Sequence, residues 1–207
     1  MGLCLMFILF YKMPAGHWNF SYIKTANSTS KNSLEDRKFI SAKRALDSAH
    51  KTLTWLKKNG YSTNLIFLAD MKLNMDVKRF YVIQPDSNRM LATFLVAHGS
   101  GKGSTGDSVV CSNIPGSLCT SIGKYQLGKT LMGEYGKGYW MDGLEKTNNN
   151  ARKRLIVFHY YLLQTTEEFG GHNYFSSGCP MLAKSSFDFC DSLIQKEGKP
   201  VLMWIYK

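Results

Sequence analysis

The residue types with the most chemistry to offer in this chain are a thiol and an imidazole. Cys179 sits inside Ser176-Ser177-Gly178-Cys179-Pro180, and His159 ends the apolar run Leu155-Ile156-Val157-Phe158. A cysteine attacks as its thiolate, and a thiol with an unperturbed pKa of about 8.5 needs a cationic neighbour or a helix N-terminus to ionise near neutrality. A histidine at the end of a strand has its body supported and its ring turned toward the loops, so it can serve as a fixed base. Gly178 lets the backbone come close to a substrate, and the amides of Gly178 and Cys179 can point at a developing oxyanion. These parts suit acyl transfer through a thioester. A buried thiol and an ordinary structural histidine offer the same two residue types, so the surrounding sequence has to decide between the readings.

Stepping outward, the elements that must position this pair are short. Ser33, three before Asp36, has the form of a helix N-cap. Phe39, Ala42, Leu46, Ala49, Leu53 and Leu56 follow at intervals of three and four as one apolar stripe, and Asn59-Gly60 stops the helix. Strands are expected at Leu65 to Ala69 and at Phe80 to Ile83, with a turn at Pro85-Asp86-Ser87-Asn88 and a return over Met90 to Ala97. His98-Gly99-Ser100-Gly101-Lys102-Gly103-Ser104 lacks the spacing of a phosphate loop and reads as a flexible loop. Residues 111 to 151 read as short strands and turns in which loops dominate. Strands are expected again at Arg154 to Tyr161 and Pro200 to Tyr206, with a short helix between them opened by Ser185 and Asp188 and ended by Gly198 and Pro200. The fold class is therefore mainly β with a few helices, α+β without βαβ alternation.

At 207 residues, with 44% hydrophobic and 20% charged positions, the chain is long enough for one core and too apolar for disorder. A net charge of +11 suits an acidic partner. The basic residues are spread along the chain, and neither a zinc-finger spacing nor an RNP-like aromatic motif accompanies them, so anionic envelope polymers fit as well as nucleic acid does. Five cysteines form no CxxC pair, and no metal site is signalled; Cys111 and Cys119 read as two idle thiols, with pairing the alternative. The run Leu3 to Tyr11 is too short to cross a bilayer and has the length of a secretory h-region. The expected organisation is an apolar leader at 1–16 that directs export, a polar linker at 17–32, and a single catalytic domain at 33–207.

Further segments follow one another in a fixed order: Val96-Ala97-His98-Gly99, Ser112-Asn113-x-Pro115-Gly116-Ser117, Gly123-x-Tyr125, Asp142-Gly143-Leu144-Glu145, Asn150-Ala151-Arg152-x-Arg154, Ile156-Val157-x-His159 and Gly178-Cys179-Pro180. In this order, from about residue 33 to 207, the chain resembles the murein L,D-transpeptidase catalytic domain family. Three positions depart from the family pattern. Ser177 stands where better-known members have His before Gly-Cys, Phe175 where closer ones usually carry Arg, and Tyr160 where Gly commonly follows the strand histidine.

The resemblance implies a transpeptidase-like β-sandwich or barrel with an N-terminal helix. It implies a peptidoglycan enzyme in which Cys179 attacks the acyl carbon of a tetrapeptide stem and releases D-alanine, with His159 as base and the backbone carbonyl of Tyr160 orienting the imidazole. Gly178 would contribute to the oxyanion region. Ser176, Ser177, His98, Asn113, Tyr125 and Arg154 are the expected substrate-binding residues, although turn formation explains Asn113 equally well, a structural role explains His98, and solvent-facing charge explains Arg152 and Arg154 on one strand face. His172 reads as a surface histidine, and Asp142 with Glu145 as structural hydrogen-bond formers. No metal or organic cofactor is called for. The product depends on the acceptor: a stem amine gives a 3-3 crosslink, a D-amino acid gives exchange, and water gives carboxypeptidase activity. A carbapenem would be an acylating probe. The partners implied are peptidoglycan stem peptides, with peripheral association with the envelope and a location in the periplasm or cell envelope. A hydrolase of the same fold and an inactive wall-binding module are the alternatives.

Overall fold

Ser33 caps the first helix as its spacing predicts: its hydroxyl accepts from the Asp36 amide at 3.1 Å. The computed structural model describes residues 33–207, so the expected leader and linker, with Cys4, lie outside the described residues. Helix α1 (Leu34–Lys58) carries Glu35 and Asp36 in its first turn and Lys57 and Lys58 in its last, each favourable to the helix dipole. Its buried face differs from the apolar stripe. Ser41, Ala45, Ala49, Thr52 and Leu56 face inward, while Phe39 is 55% exposed. Small residues let the helix lie close against a strand, and polar Ser41 is buried because it donates to Asp70. Asp70 is fully buried and also pairs with Arg44, so this carboxylate fixes α1 to the sheet.

The strands are β1 (Ile66–Asp70), β2 (Phe80–Gln84), β3 (Arg89–Phe94), β4 (Gly123–Gly133), β5 (Gly136–Gly143), β6 (Val157–Tyr161), β7 (Met181–Ala183) and β8 (Leu202–Tyr206), with α2 (Lys184–Ile194) between the last two. They form one sheet in the order β3-β2-β1-β8-β4-β5-β6-β7. Only β1–β8 and β6–β7 are parallel. Strands β1 and β2 are buried on both faces: Ile66, Leu68, Tyr81 and Ile83 pack with α1, and Phe67, Phe80 and Val82 join the main core. In that core Phe158 of β6 lies 5.8 Å from Phe67 and 5.7 Å from Phe80, ring centre to ring centre, so the sheet curls until its halves meet. Each such ring removes enough apolar surface from water to contribute about 2–3 kcal/mol.

The curl nearly closes into a barrel. Beyond β3 the chain bridges to the far edge: the Ala97 amide donates to Met181 O at 2.9 Å, the Ser100 amide to Ser176 O at 2.8 Å, and the Ser176 amide to His98 O at 2.9 Å. The stretch from His98 to Gly101, expected as a flexible loop, is thus stitched into the barrel wall. Gly99 and Gly101 are buried against the Leu118–Thr120 backbone, which leaves no room for a side chain at either.

Several boundaries move. The segment expected to be loop-dominated holds the long β4–β5 hairpin. The return strand stops at Phe94, and β6 begins at Val157 rather than Arg154, because Leu155 sits at φ +56 and ends a turn. Ser185 is not the cap of the second helix; α2 starts at Lys184 directly after β7, with Ala183 at the cap position and no side-chain cap bond. Cys111, Cys119, Cys179 and Cys190 are all free thiols.

Candidate active site

Parallel pairing of β6 with β7 sets His159 beside Met181. The chain entering β7 carries Cys179 two residues earlier, so the thiol comes to lie against the start of β6. The Val157 amide donates to Sγ at 3.4 Å, and the thiol reaches Leu155 O at 3.9 Å. The thiol therefore lies beside the strand that carries the imidazole, but no hydrogen bond joins them; the sulfur is held by the backbone of Leu155 and Val157. Burial pushes the Cys179 thiol up, opposed by the Val157 amide and by the positive charge of Arg154. In this arrangement the cysteine rests as the neutral thiol.

His159 is 8% exposed, and its Nδ1 lies 2.9 Å from the carbonyl oxygen of its neighbour Tyr160. That contact assigns the proton of a neutral ring to Nδ1 and leaves Nε2 with a free lone pair. Burial pushes the imidazole pKa down, and the Tyr160 carbonyl opposes it. Gly138 pairs with His159 across the β5–β6 ladder, and a Cβ there would come within 3.3 Å of the His159 Cβ. Over the ring lies Tyr135, from the β4–β5 turn, stacked at 5.6 Å and 27°. Tyr135 is the neighbour that sequence reasoning missed; its signal was its place in Gly133-Glu134-Tyr135-Gly136, a two-residue turn between glycines.

The loop that carries Cys179 is held from below by side chains. Ser176 is buried; its hydroxyl donates to Cys179 O at 2.6 Å and accepts from the Gly178 amide at 3.1 Å. The Gly178 amide, expected in the oxyanion region, is therefore occupied, whereas the Cys179 amide has no acceptor among the described residues. Gly178 is needed for its backbone instead. It lies at φ +116, and a Cβ would fall 2.7 Å from Cys119 O and 3.0 Å from Arg154 Nη2. Ser177 is exposed at the surface of this loop.

Arg154 does not alternate with Arg152 on a strand face. It donates to Ser112 O at 2.8 Å, to Ser121 Oγ at 3.1 Å and to Cys119 O, clamping the loop on which Gly178 rests. Three of its five N–H donors are thus spent on groups inside the protein. Arg152 instead makes a bidentate pair with Asp142, both bonds 2.7 Å. Tyr125 is fully buried with its hydroxyl on Ser121, a core residue rather than a groove wall. Asn113 ties two turns together through Lys146 O, Asn149 and Asn150, the turn-forming alternative.

His98 is fully buried as well. Its Nδ1 meets Arg79 Nη2 at 2.7 Å, and burial followed by the Arg79 charge lowers its pKa to about 4, so it is neutral and structural. Phe175, at the position where an arginine is usual, packs edge-on against the His98 ring at 5.2 Å. Among the described residues, no group of three or more His, Cys, Asp or Glu could hold a metal ion.

Barrel and site together define an α+β domain in which a histidine on β6 lies near a cysteine on the segment entering β7. The family model described as the L,D-transpeptidase catalytic domain matches residues 38–206, and the chain belongs to that family. Two solved structures are similar in fold. The helical cell shape determining protein Pgp2 from Campylobacter jejuni is 16% identical with a TM-score of 0.45, over 74% of this chain and 54% of that one. An L,D-transpeptidase from Xylanimonas cellulosilytica is 12% identical with a TM-score of 0.39, over 70% and 61%. The chain thus spans less than two thirds of the length of either. No curated protein matches in sequence.

Proposed function

We propose that this protein is a peptidoglycan L,D-transpeptidase whose nucleophile is Cys179 and whose base is His159. The observation that carries the reading is the pairing of β6 with β7, which sets an imidazole with a committed Nδ1 next to the segment bearing the thiol. Rotation of the Cys179 side chain away from the Leu155 carbonyl turns Sγ from the strand backbone toward the ring. The thiol proton passes to His159 Nε2 as the sulfur attacks the stem carbonyl carbon. The Cys179 amide donates to the oxyanion, supported by its lack of any other acceptor. Collapse breaks the C–N bond to D-alanine, whose amine takes the proton back from His159 and departs, leaving the thioester. An incoming amine then gives a proton to His159, forms the new amide and releases the Cys179 thiolate, which recovers that proton. Water in place of the amine gives the hydrolase.

The protein works, in this reading, after export to the periplasm or cell envelope, where its charge of +11 suits an anionic wall. The test is intact-protein mass spectrometry after incubation with a disaccharide tetrapeptide or a carbapenem. The expected result is one adduct on the wild type, none on Cys179→Ala, and release of D-alanine; crosslinked dimers mark the transferase and free tripeptides the hydrolase. Absence of any adduct on a folded protein that still sediments with sacculi would establish the wall-binding module instead.

A further inference from the structure

We infer that the free edge of β4 takes an extended acidic segment of a partner protein as an added strand. β4 runs for 11 residues, Gly123–Gly133, yet β8 pairs with it only from Gly123 to Gln126. The last bond on that side runs from the Leu127 amide to Val201 O, at 3.0 Å. Pro200 ends the ladder: it has no N–H to give, and its carbonyl is taken by the Ser62 amide at 2.9 Å. Gly128 and Lys129 then stand together opposite Trp140 in the β5 register, a β-bulge. Beyond the bulge the hairpin turn fixes which backbone groups are left over. Gly133 and Gly136 pair across a two-residue turn, so Leu131 bonds with Gly138, and the alternate residues Thr130 and Met132 direct N–H and C=O to the side that β8 no longer covers. Both residues are exposed, Met132 by 80%.

A cavity of about 650 Å³ lies along this edge, lined by the bulge, Pro200, Trp140 and Arg152. An added strand needs backbone groups to pair with, room beside them and a surface for its alternate side chains. The surface is rigid here, because the Arg152 guanidinium lies over the Trp140 ring at 4.7 Å and is pinned there by Asp142. Charge then selects the occupant. Asp142 lines the cavity but is spent on Arg152, whereas Lys129 in the bulge and Lys199 before Pro200 are exposed. A second copy pairing through the same edge would bring its own lysines against these, and like charges across a strand pair repel. A strand carrying Asp or Glu at alternate positions meets the opposite charge instead, in a chain whose net charge is +11. The main-chain bonds supply affinity whatever the sequence of the added strand, and the lysines restrict it to acidic ones.

The test titrates the full chain with the peptide acetyl-Glu-Val-Glu-Val-Glu-Thr-amide, following backbone amides by NMR and by hydrogen exchange. Saturable shifts across residues 127–133 are expected, with exchange at the Thr130 and Met132 amides slowed about tenfold at saturation. A Glu-Pro repeat of the same charge, which cannot pair as a strand, and a Lys-Val repeat of the opposite charge should not bind. Lys129→Glu should weaken the Kd about fivefold, and Lys129→Arg should keep it. Shifts elsewhere or none, equal binding of the Glu-Pro peptide, or an unchanged Kd in Lys129→Glu overturn the assignment. So does protection of the same two amides without peptide that rises with protein concentration, which would mean that a second copy fills the edge. The titration involves no turnover, so it fails or succeeds separately from Cys179 acylation.

Discussion

At the scale of single residues, the site is governed by what holds the sulfur rather than by the thiol and imidazole alone. Cys179 is half-buried; loss of water around the sulfur favours the neutral thiol, and Arg154 is the cation that works against it. The same guanidinium clamps Ser112, Cys119 and Ser121 under Gly178. Arg154→Met removes both contributions. The sign follows directly: loss of a positive charge near a thiolate raises the thiol pKa, so the fraction ionised at a given pH falls. The rate of iodoacetamide labelling at Cys179 as a function of pH should move to higher pH in Arg154→Met, with Arg154→Lys between it and the wild type. A variant whose labelling profile overlays the wild type would show that the guanidinium acts on loop shape alone. Residue types made the candidate thiol and imidazole legible in the sequence. The Arg154 clamp was not legible, because its acceptors are carbonyls and a hydroxyl more than thirty positions away, and no local pattern encodes them.

At the scale of elements, the barrel is closed by a short stitched segment rather than by a full strand pair. Gly99 sits where this segment crosses residues 118–120, and a Cβ there would collide with the Leu118 carbonyl and fall 2.8 Å from the Thr120 amide nitrogen. The backbone cannot yield without breaking the hydrogen bond from the Gly99 amide to Thr120 Oγ1 and loosening the neighbouring hydrogen bonds to Ser176, which holds the Cys179 loop. Gly99→Ala is therefore expected to cost about 2–3 kcal/mol by overpacking, a fall of roughly 5–10 °C in Tm for a domain of this size, and to slow Cys179 acylation with it. Gly106→Ala, where a Cβ meets nothing within 4 Å, should leave both unchanged. Equal melting of the two variants would refute the stitching argument. Glycines also explain which elements the sequence concealed. Helix α1 announced itself through Ser33 and Asp36, and β2 through Phe80 to Ile83, because cap chemistry and apolar runs are local. Strands β4 and β5 did not, since Gly123, Gly128, Gly133, Gly136, Gly138 and Gly143 read as turn formers. Nonlocal contacts explain most of them: Gly128 lies under the Asp142–Arg152 pair, Gly138 beside His159, Gly143 against the Asn148 carbonyl, Gly123 against the Asn148 side chain and Gly136 against the Tyr160 hydroxyl.

At the scale of the whole molecule, the last strand in sequence is a central strand in space. β8 pairs parallel with β1 on one side and antiparallel with β4 on the other, so it joins β1–β3 to β4–β7. The candidate site depends on both halves, because the Cys179 loop is hydrogen-bonded to His98 and Ser100 after β3 and to Val157 at the start of β6. An interruption of β8 should thus remove acylation together with the fold, although the strand contributes no side chain to the chemistry described. Met203 is the test position: it is fully buried in the main core, opposite Phe67 in β1 and Tyr125 in β4. Met203→Asp places a carboxylate there with no partner, and desolvating an unpaired charge costs several kcal/mol, a large share of a domain's stability of about 5–15 kcal/mol. The expected outcome is loss of the cooperative thermal transition and of Cys179 labelling by a carbapenem, with Met203→Leu close to the wild type in both because volume and apolarity are kept. A cooperative Met203→Asp protein that still forms the acyl adduct would mean that β1–β3 and β4–β7 hold the nucleophile loop without the strand between them.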